Sequence, residues 1–299
     1  MNAGSDCRSD RALRTHTVAD GRVPALHLTA GGLSVEVSPD EGGRIMSLTS
    51  EDPHHEWLLQ DLSAPTRPGD DFVRPGMGGW DECLPTIAAT VLEDGTRLAD
   101  HGEVWSRPWR VLSADHDAID LAVSVDVPAM VLRRRLSAAR DGLRIEYRLR
   151  SRADHDLPVL WCDHPQFDAS GLELRLGSGT SGPPALVDEG GAGLPWPGVR
   201  VTDLPRGSGV KGFADPGRSV REVDLLHDSG AGLRMSWSGE VLGELGLWWD
   251  NGLCARSPVL GVEPATGRGD DVAMAARAGR VVTIVPGEEI HWRIDLRLL

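Results

Sequence analysis

At 299 residues with 40% hydrophobic composition, the chain is long enough for one large all-β domain or two smaller ones, with a sizeable core in either case. Its formal charge of -14 disfavours nucleic acid and anionic membrane surfaces, both of which select a basic footprint, and leaves small neutral ligands open. Four cysteines, Cys7, Cys83, Cys162 and Cys254, are too scattered for a zinc knuckle or a redox pair and read as reduced thiols. One lysine, Lys211, stands against thirty arginines, a coding bias from which no function follows.

Residues 1–25 are polar, with no apolar run for a signal-peptide core, and are expected to form a flexible tail. From there the chain reads as strands. Leu33–Val37, Leu143–Leu149 and Ile290–Leu296 alternate apolar and polar side chains with period two, so one face of each is buried and the other wetted. Gly43–Leu48, Ala118–Val125, Met130–Leu136, Pro158–Trp161, Leu172–Leu176, Leu233–Trp237, Leu242–Trp249 and Val281–Val285 are further strands between Gly-, Pro-, Asp- and Ser-rich turns. No segment holds a helical stripe. Many short strands without intervening helices predict an antiparallel sandwich or barrel. Gly177–Gly198 and Leu204–Gly217 read as long loops, and residues 26–299 as a single domain. The absence of a membrane span points to a cytoplasmic protein.

The chemistry concentrates in two turns. Gly79-Trp80-Asp81-Glu82-Cys83-Leu84-Pro85-Thr86 and Asp100-His101-Gly102-Glu103-Val104-Trp105-Ser106-Arg107-Pro108-Trp109 mix ionisable groups with indoles. A pyranose presents hydroxyls to carboxylates and imidazoles and C–H faces to aromatic rings, so this mixture suits a sugar. Further on, His164 follows the apolar Val159-Leu160-Trp161-Cys162 run, and Glu263 follows Val259-Leu260-Gly261. The proline after Glu263 favours an extended backbone and a partly desolvated carboxylate at a strand end, a setting that raises a carboxyl pKa towards the range of general acid–base catalysis.

Four motifs in order, Gly-Trp-Asp-Glu-Cys-x-Pro-Thr at 79–86, Asp-His-Gly-Glu-x-Trp-x-x-x-Trp at 100–109, Asp-His-Pro-x-Phe at 163–167 and Val-Glu-Pro-x-Thr at 262–266, resemble the aldose 1-epimerase, or galactose mutarotase-like, family. The resemblance runs from about Gly31 to Leu299. It implies a β-supersandwich of twisted antiparallel sheets, a cofactor-independent isomerase without metal, and a small-molecule sugar as partner, acting as a monomer or homodimer. It also implies Glu263 as base, His164 as acid and His101 as a contact to the sugar. Arg74, Trp80, Asp81, Glu82, Arg107, Trp109 and Asp250 are candidate substrate-binding residues.

Three readings stay open at the level of sequence. A mutarotase interconverts anomers of an aldose. The Asp-His-Gly-Glu form with Arg107 and Trp109 is closer to the branch resembling hexose-6-phosphate 1-epimerases, with Arg74 and Arg107 as phosphate ligands, although both arginines could equally pair with Asp81, Glu82 or Glu103. A carbohydrate-binding or sensor protein on the same fold is the non-catalytic alternative. A metal enzyme built on His101, Glu103 and His164 is disfavoured by the diffuse spacing and the absence of a His-x-His pair.

Overall fold

A computed structural model of the chain describes residues 23–177, 186–188, 191–195, 200–215 and 220–299. Two large antiparallel sheets dominate it. The first runs Leu26–Ala30, Leu33–Ser38, Arg44–Glu51, Trp80–Cys83, Cys162–Asp168, Val259–Ala265, Glu244–Asn251, Ser208–Ala214, Leu186–Val187 and Gly193–Leu194, with His54–Glu56 paired to Arg44–Glu51. The second runs Leu172–Leu176, Glu222–His227, Gly232–Ser238, Glu289–Leu298, Gly142–Ser151, Met130–Ala139, Ala118–Val125 and Arg110–Ala114.

The sheets share one apolar core. Leu33, Ile45, Trp80, Phe167, Leu247 and Val262 from the first meet Leu132, Ile145, Tyr147, Leu233, Trp292 and Ile294 from the second, all in one buried cluster. Burying each Leu or Ile fully stabilises by roughly 1.5–3 kcal/mol. Along the second sheet the outer face is polar, as the strict alternation in Gly142–Ser151 and Glu289–Leu298 predicts.

The centre of the first sheet obeys a different rule. Trp80–Cys83 and Val259–Ala265 are buried at every position, because loops cover the face turned away from the core. Period two therefore sorts side chains by chemistry rather than by exposure. Trp80, Glu82, Asp163, Phe167, Leu260 and Val262 point into the inter-sheet core, while Asp81, Cys83, His164, Gln166, Gly261 and Glu263 share the opposite face.

The predicted strand Pro158–Trp161 ends early, at Val159, and Leu160 and Trp161 link it to the next strand. Leu157–Val159 pairs with Val282–Ile284, and Cys162–Asp168 then enters the first sheet. Leu204–Gly217 is not all loop: Ser208–Ala214 is a strand whose glycines make room for its neighbours, a Cβ on Gly209 standing 3.3 Å from the Trp248 ring. A helix, Val272–Arg277, was not expected. Asp271 caps it by accepting from the Ala273 and Met274 amides at 2.7 and 3.0 Å, and six residues are too few to show a stripe. Residues 1–22 of the expected tail and most of 177–198 lie outside the described residues.

Candidate active site

His164 and Glu263 stand on adjacent strands in the middle of the first sheet, not at strand ends as the sequence suggests. Asp81 sits directly opposite His164 across the neighbouring strand pair, and its Oδ1 lies 3.0 Å from His164 Nδ1. A carboxylate only accepts, so Nδ1 carries the proton and Nε2 is left for a ligand. Asp81 is itself held by Arg44 at 2.8 Å, both groups being buried. Burial alone would raise the Asp81 carboxyl, but the Arg44 charge and the His164 bond outweigh it and hold it below the usual range. Burial would likewise lower His164, and the bond and charge of Asp81 turn the net effect upward.

Glu263 is 1% exposed and ion-paired to Lys211. Desolvation pushes its carboxyl up, yet Lys211 and then His164 outweigh that, leaving Glu263 below the ordinary range. The expected upward shift of Glu263 is thereby corrected, because the sequence shows a strand end but not the lysine brought to it from residue 211. Lys211 also lies 3.5 Å from Asp270, and these carboxylates hold its ammonium far above the usual lysine range against the pull of burial.

His101 closes the other side. It is the one non-glycine residue with positive φ, 57°, among the described residues, a conformation that costs free energy and is tolerated where the surroundings impose it. Here the next residue imposes it: a Cβ on Gly102, φ 68°, would lie 1.9 Å from the Leu84 carbonyl oxygen, so the turn closes tightly on the Trp80–Cys83 strand. His101 Nδ1 meets Asp100 at 2.8 Å, and its ring stacks on Phe72 at 3.7 Å with 4° between planes. The His101 and His164 rings are 5.6 Å apart, nearly perpendicular.

These groups open on a cavity of about 250 Å³ lined also by Gln166, Trp248, Met77 and Ile87. Gln166 Oε1 accepts from the Gly78 amide at 2.7 Å, and its buried Nε2 has no partner, leaving donors for a ligand. Donors and acceptors beside an apolar wall are what a monosaccharide presents in mirror image.

Known structures share this architecture. The Slr1438 protein from Synechocystis sp. PCC 6803 superposes with a TM-score of 0.72 at 19% identity over 93% of this chain and 96% of that one. A galactose mutarotase-like protein from Lactobacillus casei ATCC 334 gives 0.70 at 14% identity over 92% and 100%. One from Clostridium acetobutylicum gives 0.67 at 14% identity over 91% and 94%. The chain has the galactose mutarotase-like fold. The sequence itself matches no protein-family model and no curated protein.

Within this mutarotase-like fold, His101, His164 and Glu263 meet at one cavity, and the other candidates do not line it. Asp81 acts behind His164. Glu82 lies in the core, bonded to Arg134 at 2.6 Å and to the Tyr147 hydroxyl at 2.9 Å. Trp80 is core and donates to Asp163 at 2.6 Å; Trp109 is core, bonded to the Val104 carbonyl, with the Arg134 guanidinium 4.7 Å from its ring. Asp250 accepts from the amides of Leu253, Cys254 and Ala255 and so fixes a turn. Arg74 is on the surface with Asp70, and Arg107 pairs with Glu103 and Asp126.

That last pairing removes Glu103 from the imagined metal set. Cys83 instead lies with His101 and His164, their potential ligand atoms within 4.8 Å of one another. Burial pushes the Cys83 thiol well up, which keeps it protonated and a weak ligand. Sequence reasoning missed Gln166, Lys211, Asp270 and Phe72. For Gln166 a signal existed, since it is two residues from His164 on a strand and must share its face. Among the described residues no helix is long and apolar enough to cross a membrane.

Proposed function

We propose that this chain is an aldose 1-epimerase acting on a free, unphosphorylated aldose. Glu263 removes the proton of the anomeric hydroxyl while the His164 imidazolium protonates the ring oxygen, the C1–O5 bond breaks, and the open-chain aldehyde forms. Rotation about C1–C2 and reclosure, with the two groups exchanging roles, return the opposite anomer. His101 and Gln166 hold hydroxyls, and Trp248 and Phe72 face the C–H surface. One observation carries the reading: a buried carboxylate and a carboxylate-oriented histidine, on adjacent strands, open on one cavity of monosaccharide scale.

The charges around the cavity favour a free sugar over a hexose 6-phosphate. Both arginines suggested as phosphate ligands lie off it with carboxylate partners, and Asp100, Glu263 and Asp270 line it against Lys211. The Lys211–Glu263 ion pair favours a second reading, sugar binding without turnover, because it occupies the base.

Saturation-transfer NMR on a panel of free and phosphorylated aldoses separates these readings. Anomer exchange with free aldoses is expected, and E263Q and H164N each lower kcat by about 10²–10⁴-fold while binding persists by calorimetry. Full activity in both variants ends the proposed mechanism; binding without exchange in the wild type selects the second reading.

A further inference from the structure

The chain's one lysine lies against the proposed base. Ser208–Ala214 carries it opposite Trp248, which in turn faces Gly261, and from there the ammonium reaches diagonally to Glu263 Oε2. Space for that carboxylate comes from Gly261, where a Cβ would stand 2.8 Å from Glu263 Oε1. Lys211 lines the same cavity as His164. An ammonium beside a base weakens it as a proton acceptor, so a site of this kind gains from Lys211 only if the cation stabilises something the reaction creates.

We propose that Lys211 is the electrophile of ring opening: its ammonium donates a hydrogen bond to the anomeric oxygen as Glu263 takes that oxygen's proton, and then to the carbonyl oxygen of the open-chain aldehyde. This rests on the epimerase reading above. The balance is simple. The O1 proton goes to Glu263, the C1–O5 bonding pair goes to O5, O5 takes the His164 proton, and Lys211 keeps its own three protons while its charge stabilises the negative charge developing on O1.

A lysine beside an aldehyde carries a hazard. A neutral amine would attack C1, expel water and hold the intermediate as an imine. Glu263 and Asp270 withhold the nitrogen lone pair by keeping the ammonium charged, and Cys162 and His164 are the other titratable groups facing this cluster from the neighbouring strand. Asp270 is thereby a positioning residue that protects the intermediate.

The test uses the full chain and the aldose that the wild type turns over. K211M is expected to lower kcat by about 10²–10³-fold with the calorimetric Kd nearly unchanged, and K211R to recover part of the loss. Under cyanoborohydride, which reduces imines to stable amines, Lys211 of the wild type stays unlabelled by peptide mass spectrometry, which separates it from the chain's α-amino group. D270N acquires a sugar adduct on Lys211, and the D270N/K211M double variant acquires none beyond the α-amino group. Wild-type kcat in K211M, or a loss confined to Kd, overturns the electrophile; an adduct on Lys211 of the wild type, or none on Lys211 of D270N, overturns the protective role of Asp270. Absence of anomer exchange in the wild type is a failure of the epimerase reading itself and is seen before any variant is made.

Discussion

Asp81 shows how much one buried carboxylate decides. It sets which nitrogen of His164 carries a proton and raises the imidazolium's pKa above its ordinary 6.5, which favours the proton-donating form that the proposed mechanism needs. D81N is expected to move the alkaline limb of the kcat profile towards acid and to lower kcat at pH 8 more than at pH 6, as a pH series by saturation transfer will show. A merely structural role for Asp81 would lower both equally. The acid limb is expected to report Glu263, whose carboxyl lies below its ordinary 4.5, so the proposed activity should persist into mildly acidic solution. Asp81 was a candidate sugar contact in the sequence. What moved it behind the histidine is its register opposite His164, a property of two strands 83 residues apart.

At the scale of elements, the two sheets are joined by a polar bridge as well as by their apolar core. Arg134, on Met130–Ala139, crosses to Glu82 on Trp80–Cys83 and to the Gly43 carbonyl, and Tyr147 adds its hydroxyl to Glu82. Removing one partner of a fully buried pair strands a charge, whereas removing both leaves only a packing problem. R134M is expected to destabilise by about 3–5 kcal/mol and E82L/R134M by clearly less, measured by denaturant unfolding. Equal losses would mean that packing, not charge, sets the cost. The sequence shows alternation along each strand but not which of two buried faces a residue takes, so Glu82 and Asp81 read alike there. The covered face of the first sheet separates them.

Over the whole molecule, the buried titratable groups give stability a pH window. Asp81 and Glu263 have depressed pKa values, so their contributions are present above 3.8 and 4.5, the ordinary values, and are lost as pH falls through the folded ones. His164 is raised, so its contribution is full below 6.5 and is lost as pH rises through its folded pKa. Asp163 is pushed well above 3.8 by burial and by Glu82 despite its Trp80 bond, so its contribution is full below 3.8 and is lost as pH rises from there through its folded pKa. The melting temperature is expected to peak in mildly acidic solution, and D163N to remove the part of the decline that sets in as pH rises above 3.8. A melting series showing the same slope above pH 3.8 in D163N as in the wild type would contradict this assignment.

Period-two alternation, turn chemistry and the absence of a helical stripe determined an all-β chain by themselves, because strand patterning is written locally. Four short motifs likewise marked His101, His164 and Glu263. Lys211, Gln166 and Asp270, and the removal of Arg74, Arg107, Glu82 and Asp250 from the cavity, were decided only by tertiary structure. A site residue's role depends on which strand faces it and on whether a nearer partner has already claimed its charge, and both are fixed by contacts between residues far apart in the chain.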